Sequence, residues 1–252
     1  MSANMDRWEG KVAVVSGTNS GIGAAIATQL VDAGLKVVGL SRRKNRGEEL
    51  AKKLIQRKGQ FHPLVVDITK EQEVLSAFDW IKEELGPVHI LINNAGVKRS
   101  TMLIDGDTSM WKETLDTNIL GLCMMTREAV KSMRDNNVDG HIVHMNSLCG
   151  HMIPPIIDKN VYCASKYAVT ALTETLRQEL NTIGSKIKIT SISPGFVKTE
   201  MLASTYLKEY KTIKEKPALE SEDVASAVLY TLSTPPHVQI QDILIRPVGQ
   251  IC

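Results

Sequence analysis

Short apolar runs rich in Val and Ile alternate with helix-length segments along almost all of this 252-residue chain. That alternation restricts the fold more than any other feature. Residues 11–16, 35–40, 61–66, 88–92, 141–146, 188–192 and 240–245 read as strands. Residues 21–32, 46–58, 70–85, 109–136, 160–180 and 221–231 carry the longer helical period between them. Strand, helix, strand repeated in this way implies an α/β protein with a doubly wound, mainly parallel seven-stranded sheet and helices on both faces. The strands also lack polar alternation, as expected when both faces are covered. No linker, repeat or low-complexity tract divides the chain, so residues 1–252 read as one domain. The stretch 198–217 lacks a period, has a Lys/Glu-rich second half, and reads as a substrate loop.

Charge removes several classes of function. Thirty Lys and Arg stand against 28 Asp and Glu, a balance that argues against nucleic acid or an anionic membrane as partner. No apolar run approaches the roughly 20 residues of a membrane span. The polar opening M-S-A-N-M-D-R-W-E-G does not read as a signal peptide. Cys123, Cys149, Cys163 and Cys252 form no C-x-x-C pair, so neither a zinc site nor a redox dithiol is indicated. A reduced, cytoplasmic setting is the expectation.

Between the first strand and first helix lies S-G-T-N-S-G-I-G (residues 16–23). Gly17, Gly21 and Gly23 allow a tight turn and close approach of backbone to a ligand. Asn19, Ser20 and Ile22 complete a helix start whose free N–H groups suit a diphosphate, the Rossmann-type arrangement. At the end of the second strand an NAD site would carry a carboxylate for the ribose 2′-hydroxyl. Ser41, Arg42 and Arg43 stand there instead, a hydroxyl and guanidinium set that favours a 2′-phosphate and hence NADP(H). Asp67, followed by Ile68 after the third strand, reads either as an adenine acceptor or as the cap of the next helix. Asn94, Ala95 and Gly96, in N-N-A-G after the fourth strand, leave room for the cofactor at the sheet's ligand edge.

The helix read over residues 160–180 carries Tyr162 and Lys166, four apart and therefore on one face. An ammonium fixed beside a phenol stabilises the phenolate and moves its pKa down from ~10 toward working pH. Such a phenol can give or take a proton at a carbonyl oxygen.

Taken together, S-G-T-N-S-G-I-G, N-N-A-G, Asn118 in D-T-N-I-L-G, Ser147 in M-N-S-L-C-G, Tyr162-x-x-x-Lys166 and P-G-F-V-K-T-E (residues 194–200) resemble the short-chain dehydrogenase/reductase family. Only Ser16 departs from the usual Thr, keeping the hydroxyl. Several longer stretches, among them L-K-V-V-G-L-S-R-R, look like a subgroup holding insect NADP-dependent farnesol dehydrogenases and a vertebrate dehydrogenase/reductase. The resemblance implies Tyr162 as acid/base, Lys166 as its electrostatic support and ribose contact, and Ser147 as the substrate-oxygen donor. It further implies that the Asn118 side chain anchors a proton-relay water, and that Pro194, Gly195, Val197 and Thr199 line the nicotinamide. A homodimer or homotetramer, paired through the helices at residues 109–136 and 162–180, is also implied. An alternative is a family member that keeps the cofactor but works as a binding or regulatory module.

Leu148, Cys149, Met152, Ile153, Phe196, Met201, Leu202 and Tyr206 flank these residues and are mostly apolar. That composition predicts a small hydrophobic alcohol or carbonyl as substrate, such as an isoprenoid, fatty or steroid compound. His151 follows Ser147 closely and is a candidate substrate contact. His141 and His144, three apart on a strand, face opposite sides, so no metal site is expected.

Overall fold

A computed structural model describes residues 5–155, 160–201 and 217–250. Leu202, Tyr206, Cys252 and most of the 198–217 stretch lie outside the described residues. Seven strands form one sheet in the order β3-β2-β1-β4-β5-β6-β7, and every pairing is parallel. They are β1 (Val12–Ser16), β2 (Lys36–Ser41), β3 (Gln60–Val65), β4 (Val88–Asn93), β5 (His141–Met145), β6 (Lys188–Pro194) and β7 (Asp242–Ile245). The helices are α1 (Gly21–Asp32), α2 (Lys44–Leu54), α3 (Glu71–Glu84), α4 (Thr108–Leu115), α5 (Leu122–Asp135), α6 (Asn160–Thr182) and α7 (Ser221–Ser233).

Because successive strand residues face opposite sides, β1 splits into two sets. Ala13 and Val15 join Ile26 and Leu30 of α1 and Val224, Val228 and Leu232 of α7 in one core. Val12 and Val14 join Val74, Phe78 and Ile81 of α3, Met125, Ala129 and Met133 of α5 and Leu180 of α6 in the other. All of these side chains are buried, which is why the strands read as unbroken apolar runs. The direction of winding reverses between β1 and β4, so their carboxyl ends diverge and open a crevice there.

One expected helix is not continuous. Residues 109–136 divide into α4, a π turn over Asp116–Gly121, and α5. The insertion has a local cause on each side. Asn118 turns inward to bond the chain after β4, and Gly121 lies so close to Ile68 that an added Cβ would stand 2.9 Å from it. π turns of this kind concentrate at functional sites.

Candidate active site

The glycine-rich turn is held by side chains from β1 and β4. The Ser16 hydroxyl accepts from the backbone N–H of Asn94 (3.1 Å) and Ala95 (3.0 Å). The Asn94 side-chain amide donates to the carbonyls of Ser16 (2.9 Å) and Gly17 (3.1 Å). The hydroxyl shared by Ser and Thr at this position is therefore what ties the two strand ends together. Gly17 has φ +76°, and Gly23 packs so tightly that a Cβ would lie 2.2 Å from the Gly17 carbonyl oxygen. Only glycine fits there. Ser20, the N-cap of α1, makes no side-chain cap to the first turn. The buried Thr18 Oγ1 and Asn19 Oδ1 also have no hydrogen-bond partner. Free N–H groups at a helix start, with unpaired polar atoms beside them, fit a bound diphosphate.

From this turn a cleft of about 510 Å³ runs across the carboxyl edge of the sheet. Gly17, Asn19, Ser20, Gly21, Ile22 and Gly23 line one wall; Ser41, Arg42, Arg43, Asp67 and Ile68 line the outer end. Asn94, Ala95, Gly96, Pro194 and Thr199 line the middle, and Tyr162 and Lys166 stand at the inner end. Gly195 and Val197 do not line it. Val197 is buried in the core and bridges to Leu219.

Asp67 resolves its two roles in part. Its Oδ1 accepts from the Thr69 N–H (3.1 Å) and hydroxyl (2.8 Å), capping the turn before α3. Burial raises the carboxyl, but the Thr69 bonds, Arg42 and Lys70 outweigh it and hold Asp67 below the ordinary carboxylate range.

At the inner end, Lys166 is buried and its Nζ donates to the Met145 carbonyl at 2.8 Å. The same Nζ lies 5.9 Å from the centre of the Tyr162 ring. Burial pulls the ammonium down to about 8, with Cys149 opposing the shift. The Asn118 side chain is engaged with neighbouring protein groups. Its amide donates to the Val97 carbonyl (2.9 Å) and the Ser165 hydroxyl (3.0 Å), while its oxygen accepts from the Val97 N–H (2.8 Å). Since Ser165 in turn donates to the Tyr162 carbonyl (2.7 Å), Asn118 clamps the loop after β4 to the start of α6.

Ser147 caps a short turn (Leu148–Gly150), accepting from the Cys149 N–H at 3.1 Å. That turn is fastened to α6 through Thr170, which donates to the Gly150 carbonyl (3.0 Å) and accepts from the Asn146 amide (2.9 Å). Leu148 and Cys149 are 5% and 4% exposed and neither lines the cleft, so their side chains shape the wall from behind. Met201 does line it, whereas Phe196 does not. His151 bonds the Ser193 hydroxyl and pairs with Asp242, each at 2.9 Å.

Lys98, Arg99, Thr117, Asn146 and Glu200 line the cleft without having been singled out by the sequence as cofactor contacts. Lys98 and Arg99 stand two and three residues after N-N-A-G, and that position beyond a strand's carboxyl end is the available signal. His141 and His144 are both held as neutral imidazoles, pulled down to about 3 chiefly by burial. Among the described residues no cluster of three His, Cys, Asp or Glu is placed to hold a metal ion. No helix among them is long and apolar enough to cross a membrane.

Comparison with known proteins agrees with this geometry. Residues 11–209 match the family model described as short chain dehydrogenase. The chain is 48% identical to a farnesol dehydrogenase of Aedes aegypti, covering 98% of this chain and 99% of that one. It is 47% identical to dehydrogenase/reductase SDR family member 11 of Bos taurus, over 98% of this chain and all of the relative. Among solved structures, a serine dehydrogenase complexed with NADP⁺ superposes with TM-score 0.87 at 30% identity, covering 95% of this chain and 96% of the other. An alcohol dehydrogenase from Thermococcus sibiricus, complexed with 5-hydroxy-NADP, gives 0.84 at 26% identity over 95% and 97%. A full-length match to these enzymes, on a sheet whose carboxyl edge carries the glycine turn, Tyr162 and Lys166, makes this chain an oxidoreductase of the short-chain dehydrogenase/reductase family.

Proposed function

We propose that this protein is an NADP(H)-dependent oxidoreductase that interconverts a hydrophobic alcohol and its aldehyde or ketone. The observation that carries the reading is one continuous cleft with Ser41, Arg42 and Arg43 at its outer end and Tyr162 with Lys166 at its inner end. Gly17 to Gly23, Asn94 to Gly96, Pro194 and Thr199 hold the cofactor between them. When bound, the nicotinamide supplies or accepts the hydride. Tyr162 gives its phenolic proton to the carbonyl oxygen in reduction and takes the hydroxyl proton back in oxidation. Lys166, a buried cation on the same helix face, favours the phenolate form. Ser147 donates to the substrate oxygen and fixes it against the phenol. Asn118 keeps α6 in register with the chain after β4, so that the tyrosine and the cofactor wall move as one piece.

Met201 in the cleft lining, with Leu148 and Cys149 packed behind the wall, favours an apolar substrate over a charged one. The name of the Aedes aegypti relative, farnesol dehydrogenase, is consistent with that class. A second groove, between α5 and α6, is lined by Leu122, Val130, Leu172 and Leu176. It suits burial against another copy in a homodimer or homotetramer. The balanced charge, with no disulfide among the described cysteines, fits a cytoplasmic enzyme.

The test is NADPH oxidation with a panel of isoprenoid, fatty and steroid carbonyls, and NADP⁺ reduction with the matching alcohols. Turnover confined to apolar members is expected. Cofactor binding with no turnover on any member favours the binding-module alternative instead. Arg42→Ala addresses cofactor choice. Loss of one charge-assisted bond, worth about 1.5–3 kcal/mol, should weaken NADPH about 10- to 100-fold by fluorescence titration and NADH far less. Equal losses for both would remove Arg42 as the 2′-phosphate contact.

A further inference from the structure

Arg43 is the N-cap of α2 and Arg46 stands in its first turn. Both guanidinium groups converge on one carboxylate from the far side of the cleft. Arg43 Nη2 lies 3.1 Å from Glu200 Oε2, and Arg46 Nη2 lies 3.5 Å from Glu200 Oε1. The Ser20 side chain, at the start of α1, also favours the charged form of Glu200. Arg43 above all, with Ser20 and Arg46 adding to it, holds the Glu200 carboxyl below its ordinary range. Ser20, Arg43 and Glu200 all line the nucleotide cleft. Two guanidiniums aimed at one point make an anion receptor. In this structure the chain's own carboxylate fills it.

We propose that Glu200 is a specificity-determining residue that competes with the cofactor's 2′-phosphate for Arg43 and Arg46. This rests on the reading that the basic end of β2 receives that phosphate. A phosphate monoester carries about −1.5 to −2 charges at pH 7. It repels a carboxylate held on the same two arginines, so one anion must leave. Glu200 is free to do so, because its side chain is 52% exposed and its partners are 50% and 48% exposed. Ion pairs this open to solvent are weak. A cofactor without the 2′-phosphate leaves the pairs intact and meets no competition. Glu200 therefore narrows the preference for NADP(H) that the arginines alone would give.

Calorimetric titration of 2′,5′-ADP and 5′-AMP isolates the effect, since the two differ only in the 2′-phosphate. Each is titrated into wild type, Glu200→Gln, Arg43→Ala/Arg46→Ala and the triple variant. Glu200→Gln should tighten 2′,5′-ADP about three- to tenfold, with a smaller change for 5′-AMP. The gain should vanish in the triple variant, where nothing remains to compete for. A wild-type preference for 2′,5′-ADP that Glu200→Gln leaves unchanged overturns this proposal alone. So does a gain shared equally by both ligands, or one that survives without the arginines. Equal affinities for both ligands, in wild type and in Glu200→Gln alike, overturn the 2′-phosphate reading together with it.

Discussion

Tyr162→Phe should lose about 10²- to 10⁴-fold in kcat on whichever carbonyl the panel identifies, the range a single general acid contributes. The substitution removes one oxygen and keeps the ring. The backbone carbonyl of Tyr162 still accepts from Ser165, so the start of α6 and its clamp to Asn118 persist. NADPH affinity should accordingly stay within about twofold, measured by fluorescence titration beside steady-state kinetics. Retained turnover in the phenylalanine variant would remove Tyr162 as the proton donor. A parallel collapse of cofactor affinity would make it a binding residue instead.

Lys166→Met combines a loss of activity with a gain in stability. Lys166 is buried, 7% exposed where it borders the cleft, and burial lowers its pKa from 10.5 to about 8. Below pH 8 the folded protein carries the whole cost of a buried ammonium, on the order of 3 kcal/mol. Between pH 8 and 10.5 the unfolded chain binds the proton that the folded state has given up, so stability from this group rises with pH. Methionine removes that cost and forfeits the 2.8 Å bond to the Met145 carbonyl, worth about 1 kcal/mol. The cofactor-free variant should therefore melt about 2–6 °C above wild type at pH 7, with the difference shrinking toward pH 10. Its kcat should fall by about 100-fold or more, since the phenolate loses its cation. Differential scanning calorimetry from pH 7 to 10 follows the first effect and steady-state rates the second. A variant less stable than wild type at pH 7, with no narrowing of the gap, would show the ammonium to be a structural asset. Stability given up for function is the ordinary pattern at active sites.

Features carried by short-range pattern are legible in the sequence. The five inner strands were readable because β-branched runs buried on both faces show no alternation, whereas the edge strands β3 and β7 are only partly buried. The Gly17–Gly23 turn was readable because φ +76° at Gly17 and the 2.2 Å approach at Gly23 admit no other residue. Tyr162 and Lys166 share a face because the helical period requires it, and Arg42 stands at the cleft because a strand's end delivers it there.

Contacts between distant segments were decided by the tertiary structure alone. The sequence places Asn118 inside the helical segment 109–136, but not in a π turn that binds the Val97 backbone 21 positions away. Leu148 and Cys149 read as cleft residues, since sequence distance from Ser147 carries no information about which way a side chain turns. Glu200 closes the P-G-F-V-K-T-E motif, and only the fold brings it to Arg43 across 157 positions. Periodicity and local propensity are properties of neighbours along the chain, so a single sequence fixes the sheet, the glycine turn and the catalytic helix face. Side-chain bonds between elements, and the burial that tunes Lys166, exist only once the strands are laid side by side.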